Sequence, residues 1–282
     1  MRWTPGNRGN VQDMRGRSSG MRVGSLGVGG LLVALVLSWL TGVDFLSLLS
    51  GGAAPDSVAT TGQVEATPQE ERMVDFVDAV AGDTQAMWQQ LLGNEYQRTQ
   101  VVLFRDAINS ACGFAEAATG PFYCPSDRKV YLDLGFFREL SERFGAPGDF
   151  AQAYVIAHEF GHHVQNLLGL TARVQQSPRP GASSASVALE LQADCFAGLW
   201  GHAASRQGRF ETGGVELEPG DAEEALRAAA AIGDDRLQKM STGRVAPERF
   251  THGSSAQRME WFRRGLESGD PKRCDAFAGL TQ

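Results

Sequence analysis

Hydrophobic residues recur at helical spacing through most of the chain beyond residue 68. In residues 69–93 the apolar side chains of Met73, Phe76, Val77 and Val80 fall three or four positions apart, which places them on one face of a helix. The same periodicity predicts helices over residues 135–145, 149–168, 186–207 and 221–240. A last helix is predicted from Ser254, where Ser254 and Gln257 fit a capping box. The domain is therefore predicted to be mostly helical.

Two short segments are predicted to be strands, and the second of them alternates Val130, Leu132 and Leu134 with Tyr131 and Asp133. The two segments are RTQVVLF (98–104) and KVYLDL (129–134), both rich in residue types that favour strands. Together with the helices they predict an α+β domain with a small antiparallel sheet. Residues 129–134 are predicted to form the edge of that sheet.

Residues 23–43 show neither of these two patterns. They form a continuous segment without a charged residue. A segment of this length covers roughly the 30 Å of a bilayer core, which predicts one transmembrane helix that acts as an uncleaved signal anchor. The alternatives are a cleaved signal peptide, whose apolar region is usually shorter, and a buried core helix. Five arginines and a single acid precede the span, so the N-terminus is predicted to lie in the cytoplasm and the body outside.

Composition divides the chain into four predicted parts. These are a basic cytoplasmic segment (1–22), the membrane span (23–43), a flexible linker rich in Gly, Ala, Ser, Thr and Pro (44–68) and a folded domain (69–282). After residue 22 the chain holds 21 basic and 32 acidic residues. Because phosphate binding needs a basic face, this balance argues against nucleic acid as a partner.

The chain has four cysteines, Cys112, Cys124, Cys195 and Cys274, and none forms a C-x-x-C pair. An even number in an oxidising compartment predicts two disulfides, for which three connectivities are possible. A Cys112–Cys124 bond would close a short loop, and a Cys195–Cys274 bond would then tie a helix to the C-terminal tail. The alternative is four buried free thiols.

Three of the five histidines stand in the segment AHEFGHHVQN, residues 157–166. His158 and His162 lie four apart on a predicted helix, so both rings face the same way and can bind one metal ion. Glu159 lies beside this face, where a carboxylate can accept a proton from an attacking water. His163 is turned away from that face and is predicted to be a solvated or hydrogen-bonding residue. The alternative is an amphipathic helix whose histidines align by chance.

A third metal ligand is predicted on the next long helix. The extension that would supply a third histidine is absent, because Gln165 and Leu168 occupy the positions that need glycine and histidine. Glu190 lies among apolar residues, where a charge is usually paired or coordinated, and Asp194 follows one turn later. Asp194 is predicted to accept the N–H of a ligating histidine. Gly161, inside the histidine helix, predicts close approach of another element.

These motifs resemble the putative neutral zinc metallopeptidase family, a bacterial membrane-anchored group with a gluzincin-like site. The resemblance rests on HEFGHH, ELQADCFAG, CGFAEAATGPFYCPSDRKVYLDLGFF and RFTHGSSAQRMEWF. It implies a zincin-like fold, one zinc ion on His158, His162 and Glu190, and Glu159 as the general base.

The expected activity is hydrolysis of peptide bonds in peptides or unfolded proteins outside the cytoplasmic membrane, with the bilayer bound through residues 23–43. The developing oxyanion needs a hydrogen-bond donor. We expect His252 to be this donor, with a ring that the nearby helix N-terminus keeps neutral. Tyr131 and Tyr154 are the alternative donors. Extended substrate is expected to pair with residues 129–134. Two other functions fit the same ligands: a catalytically silent binding or chaperone-like module, and hydrolysis of a non-peptide amide such as a cell-wall bond.

Overall fold

The computed structural model describes residues 1–16, 66–116, 119–175 and 181–278. By its contacts the chain divides into two units, Gly16–Val64 and a larger one formed by Met1–Arg15 together with Glu65–Gln282. The larger unit is described below. The predicted membrane span, 23–43, and nearly all of the predicted linker, 44–68, lie outside the described residues. No helix within the described part is long and apolar enough to cross a membrane.

Helices make up most of the larger unit, as the sequence predicts. They are α1 (Pro68–Leu92), α2 (Gly135–Glu142), α3 (Asp149–Leu167), α4 (Leu170–Gln175), α5 (Ala185–Ala204), α6 (Asp221–Ala231), α7 (Asp234–Thr242) and α8 (Ser255–Ser268). The predicted capping box forms at the start of α8, where the Ser254 hydroxyl accepts from the Gln257 backbone N–H. A second capping box, between Thr67 and Glu70, begins α1.

The predicted helix over 221–240 is two helices, because the chain breaks at Gly233. A Cβ at Gly233 would lie 2.3 Å from the backbone nitrogen of Ser255. The start of α8 therefore packs directly on the backbone at this point, and only glycine leaves room for it.

The strands form a four-stranded sheet and a separate hairpin. In the order β1-β2-β6-β5, the sheet contains β1 (Val11–Asp13), β2 (Val101–Phe104), β6 (Lys129–Asp133) and β5 (Phe122–Cys124). The hairpin pairs β3 (Ala107–Ser110) with β4 (Gly113–Glu116).

The prediction of an antiparallel sheet is wrong for most of this sheet. Strand β2 runs parallel to both β1 and β6, and only β5 and β6 are antiparallel. Parallel pairing needs a long crossover connection, and the chain between β2 and β6 provides one because it contains the hairpin and β5. The predicted edge is also wrong: 129–134 lies inside the sheet as β6, and β5 is the strand at that edge.

The N-terminal residues Met1–Arg15 belong to the same compact unit as the domain. Strand β1 pairs with β2 in register Val11 to Val101. The guanidinium of Arg15 is buried and pairs with Asp13 and Glu71, and that of Arg8 pairs with Glu71 and Asp75. The predicted single-pass topology with the N-terminus inside concerns residues outside the described part and stays a prediction.

The core lies around α5, which packs against α3 and α8. Two disulfides brace it, Cys112–Cys124 at the sheet and Cys195–Cys274 between α5 and the C-terminal segment. This is one of the three connectivities that the sequence allows, and within the described residues no cysteine is free.

Candidate metal centre

The two histidines that lie one turn apart on α3 face the same cavity. His158 and His162 are both largely buried, and their ring centroids lie 4.7 Å apart with the planes nearly perpendicular. Helical spacing alone accounts for their proximity. Their exposed edges point toward α5.

Glu190 of α5 lies opposite both rings. Its Oε2 lies 3.2 Å from Nε2 of His158 and its Oε1 lies 3.5 Å from Nε2 of His162. The three residues offer ligand atoms that all lie within 4.8 Å of one another. The structure thus brings together the three metal ligands that the sequence predicts.

Hydrogen bonds on the far side of each ring fix where its proton sits. Nδ1 of His158 lies 2.8 Å from Oδ1 of Asp194, and Nδ1 of His162 lies 2.9 Å from Oε1 of Gln165. Both oxygens only accept, since the Gln165 amide nitrogen donates to the Leu189 carbonyl. Each Nδ1 therefore carries a hydrogen, and in the neutral rings each Nε2 presents a lone pair toward Glu190.

The donor set fits zinc. Two imidazole nitrogens and a carboxylate converge as acceptors, with no hydrogen between them when both rings are neutral. Acceptors at this distance need a cation to bridge them, and two histidines with a glutamate are a known ligand set of catalytic zinc. A zinc ion held by these three residues would keep a fourth position for water.

The electrostatics of the pocket also favour a cation. Burial lowers the pKa of His158, but the charge of Asp194 and the hydrogen bonds to Asp194 and Glu190 outweigh burial and raise the pKa to about 9. Burial raises the pKa of Glu190, but the charge of His162 and the hydrogen bonds to both rings hold this pKa well below its usual range. Both shifts express the same preference for positive charge among these three groups.

The residues beside the ligands line one cavity of about 580 Å³. Glu159 is buried, lines the cavity next to the ligands and has no hydrogen bond to another side chain in the described part of the chain. The segment from Thr119 to Tyr123, which contains the first strand residues of β5, lines the same cavity. A carboxylate, the predicted metal ligands and the start of β5, which has no second neighbouring strand among the described residues, therefore meet in one space.

His252 also lines the cavity, on the loop before α8. Its Nδ1 lies 2.9 Å from Oγ1 of Thr251 and 3.3 Å from Oδ1 of Asp234. The hydrogen bond to Asp234 raises the pKa of His252 although burial opposes it. This direction runs against the expectation of a ring kept neutral by the helix N-terminus.

The two alternative tyrosines are committed elsewhere. The hydroxyl of Tyr154 is fully buried and donates to Oδ1 of Asp194 at 2.5 Å. The hydroxyl of Tyr131 donates to Oδ2 of Asp127 at 2.6 Å, and Tyr131 is not among the residues that line the cavity. His252 remains the better placed donor.

His163 is fully buried, so the prediction of a solvated residue is wrong and its alternative, a hydrogen-bonding residue, fits. Its Nε2 donates to the carbonyl of Gln97 at 2.6 Å, and its Nδ1 accepts from the hydroxyl of Tyr123 at 3.0 Å. Because Tyr123 belongs to β5, His163 links the histidine helix to the strand beside the cavity.

Three residues that support the site were not identified from the sequence: Gln165, Asp234 and Arg258. Gln165 stands three residues after His162, a spacing that places the two on one helix face. Arg258 donates to Asp194 through Nε and Nη2, both at 2.9 Å. Nothing in the sequence ties Asp234 or Arg258 to the histidines, because both approach from separate helices.

A second acidic group, Asp149, Asp221 and Glu224, also offers oxygens close enough for a metal. The N-terminal ammonium of Met1 lies 3.0 Å from Asp149 and 3.4 Å from Asp221. This cluster is therefore already paired with a cation.

Two histidines of α3 and a glutamate of α5 offer the ligand set of a His-His-Glu metal site. The chain belongs to the family described as "Putative neutral zinc metallopeptidase", whose model matches residues 1–277. The chain is 43% identical over 294 residues to the uncharacterized protein YpfJ of Escherichia coli K12, covering 98% of this chain and 99% of YpfJ. It is 48% identical over 206 residues to the uncharacterized protein Rv2575 of Mycobacterium tuberculosis, covering 72% of this chain and 70% of Rv2575. No solved structure matches the chain.

Proposed function

We propose that this protein is a zinc-dependent endopeptidase that hydrolyses peptide bonds in peptides or unfolded proteins. One observation carries the proposal. The ligand atoms of His158, His162 and Glu190 converge in a cavity that also contains the carboxylate of Glu159. A site that only held a metal would need no base beside it, so the position of Glu159 favours catalysis over storage or binding.

The chain's own residues supply the proton transfers. When bound, zinc lowers the pKa of water toward about 7 and polarises a carbonyl group. Glu159 accepts a proton from the attacking water while the oxygen of that water bonds to the carbonyl carbon. Glu159 then returns that proton to the leaving amine as the C–N bond breaks. Glu159 thus ends the reaction in the protonation state in which it began.

His252 is the proposed hydrogen-bond donor to the developing oxyanion. Its Nδ1 faces Asp234, which leaves Nε2 for the cavity. The raised pKa of His252 favours the ring that carries hydrogens on both nitrogens. Such a ring donates through Nε2 while Asp234 holds its orientation.

The substrate is proposed to bind as an extended strand. Within the part of the chain that the structure describes, strand β5 pairs with β6 on one side only, and residues at its start line the cavity. An unpaired strand edge offers backbone N–H and C=O groups to an extended peptide. This mode suits peptides and unfolded chains, because a folded protein rarely presents a free extended segment.

The compartment is proposed to be extracytoplasmic, with the membrane contacted through residues 23–43. Two disulfides support an oxidising compartment, since such bonds rarely persist in the cytosol.

The test is the Glu159→Gln variant of the full chain, beside wild type and the control Glu139→Gln. Glu139 is an exposed glutamate that lines the same cavity. We expect about one zinc per chain in all three proteins, and peptide cleavage lost by at least about 100-fold only in Glu159→Gln. Cleavage by Glu159→Gln at the wild-type rate would refute the mechanism.

Substrate profiling separates the remaining functions. Peptide libraries and cell-wall muropeptides are to be offered to the same preparation. Cleavage of peptides alone supports the proposal, and cleavage of muropeptides alone replaces it with hydrolysis of a non-peptide amide. Bound zinc with no turnover of either class supports the binding module.

A further inference from the structure

A buried arginine lies where three helices of the site meet. Arg258 of α8 is 3% exposed, and its guanidinium contacts residues of α3 and α5. Arginine is rarely buried without a partner of opposite charge. Its position therefore calls for an explanation in terms of the groups it contacts.

Glycines bring α8 against α5 closely enough for this contact. A Cβ at Gly198 would lie 2.1 Å from the carbonyl oxygen of Phe262, and one at Gly265 would lie 2.0 Å from that of Cys195. The two backbones thus touch without intervening side chains. Asp194, one residue before Cys195, then faces Arg258.

The guanidinium binds Asp194 through two parallel hydrogen bonds. Nε donates to Oδ2 and Nη2 donates to Oδ1, each at 2.9 Å. Nη2 also contacts the hydroxyl of Tyr154 at 3.2 Å and lies 3.4 Å from Nδ1 of His158. Asp194 is fully buried, and its Oδ1 accepts from Nδ1 of His158.

Two parallel hydrogen bonds fix the orientation of the Asp194 carboxylate, which a single point charge would not. A forked guanidinium holds the plane of the carboxylate, whereas an ammonium neutralises the charge and leaves the carboxylate free to turn. Oδ1 of Asp194 must point at His158 for the ring to keep its hydrogen on Nδ1 and its lone pair on Nε2. The orientation of the carboxylate therefore decides where the ring's lone pair points.

We propose that Arg258 is a positioning residue of the metal centre: it holds Asp194 in the orientation that aims Nε2 of His158 at the metal. The inference rests on the proposed zinc site. Arg258 acts through Asp194 and His158. It does not touch the reacting atoms.

The experiment uses four full-length variants. Three carry a single change, Arg258→Lys, Arg258→Met or Asp194→Asn, and the fourth is the double variant that carries both Arg258→Lys and Asp194→Asn. Arg264→Met serves as control, because Arg264 lies on the same helix and pairs with Glu260 at the surface. Zinc affinity is measured by competition with a chelator, and the stability of the metal-stripped protein by urea unfolding.

We expect Arg258→Lys to lose about 10- to 100-fold in zinc affinity, the range typical for residues that orient metal ligands. Arg264→Met should bind zinc like wild type. Asp194→Asn should lose affinity too, and adding Arg258→Lys to it should cost little more, because both changes remove the same interaction.

Three outcomes contradict the inference. One is wild-type zinc affinity in Arg258→Lys, even if its metal-stripped form is less stable. Another is full additivity of the two changes. Failure of wild type to bind zinc would instead refute the proposed function itself, and with it the inference. If Arg258→Met does not fold, the lysine variant still decides the question.

Discussion

Asp234 accepts hydrogen bonds from three consecutive backbone N–H groups. Those of Thr251, His252 and Gly253 lie 2.6, 2.7 and 3.1 Å from its Oδ2. Burial raises the pKa of Asp234, but its hydrogen bonds outweigh burial and the pKa is lowered from 3.8. One carboxylate thus shapes the loop that presents His252 to the cavity.

Asp234→Asn should make stability less dependent on acid pH. The pKa of Asp234 is lower in the folded protein than in the unfolded chain. The stabilisation that Asp234 provides is therefore complete above its pKa in the unfolded chain, and it is lost as the pH falls through its pKa in the folded protein. We expect the variant to be less stable by about 1–3 kcal/mol at pH 7. The difference should shrink as the pH falls below about 4. Urea unfolding of the metal-stripped protein at several pH values measures it.

Asp106→Asn is the control, because Asp106 is exposed and its side chain has no hydrogen bond in the described part of the chain. Its stability should stay within about 0.5 kcal/mol of wild type. A difference between Asp234→Asn and wild type that is constant from pH 7 to pH 3 would contradict the argument.

Residues whose relation follows from helix geometry were predictable. His158, Glu159 and His162 share one helix, and Glu190 and Asp194 share another, so spacing alone gives their relative placement. Arg258 and Asp234 were not predictable, because only the packing of α8 and α7 brings them to the site. Their sequence neighbourhoods look like ordinary exposed helix and loop.

At the scale of elements, the contact between α3 and α5 holds the metal ligands together. A Cβ at Gly161 would lie 3.0 Å from Cα and 3.1 Å from the carbonyl oxygen of Ala193. The prediction that Gly161 permits close approach of another element is confirmed. Because Gly161 lies between the two histidines and Ala193 beside Asp194, this contact sets the distance between the two helices at the site.

Gly161→Val should push α3 and α5 apart. Overpacking at a close backbone contact costs about 1–3 kcal/mol of stability, and the wider gap should also weaken zinc binding. Zinc competition and urea unfolding measure the two effects. Ala203→Val, on the partly exposed face of α5, serves as the control.

The helices were predicted better than the sheet. Helical periodicity is local, so α1, α2, α3 and α5 lie within a few residues of their predicted bounds. Strand pairing joins distant segments, and nothing in KVYLDL distinguishes a central strand from an edge. Strands β1 and β5, three residues each, are too short for alternation to be detected.

At the scale of the whole molecule, Arg8 and Arg15 join the N-terminal segment to the acidic residues of α1. Arg15 is 1% exposed and lies 2.6 Å from Asp13 and 2.8 Å from Glu71, while Asn10 binds Asp78 of α1. An excess of arginine before an uncharged segment predicts a cytoplasmic flank. The same residues serve equally well as partners for an acidic domain, and the sequence pattern does not distinguish the two.

Arg15→Leu should destabilise the protein, because it leaves carboxylates without their buried partner. We expect a loss of about 1–3 kcal/mol in the free energy of unfolding, below the usual range for buried pairs since both acids are partly exposed. Arg72→Leu, an exposed arginine of α1, should change stability by less than about 0.5 kcal/mol. Equal stability of the two variants would mean that the N-terminal segment is not docked in solution.

Strand β1 has a practical consequence for producing the protein. All four residues of β2 are buried, and β1 covers one of its two edges. A recombinant fragment that begins near residue 66 would leave that apolar strand unpaired along one side. Such an edge readily pairs with a second copy and leads to aggregation. Soluble material for crystallisation should therefore retain residues 1–15, with the intervening segment shortened if necessary.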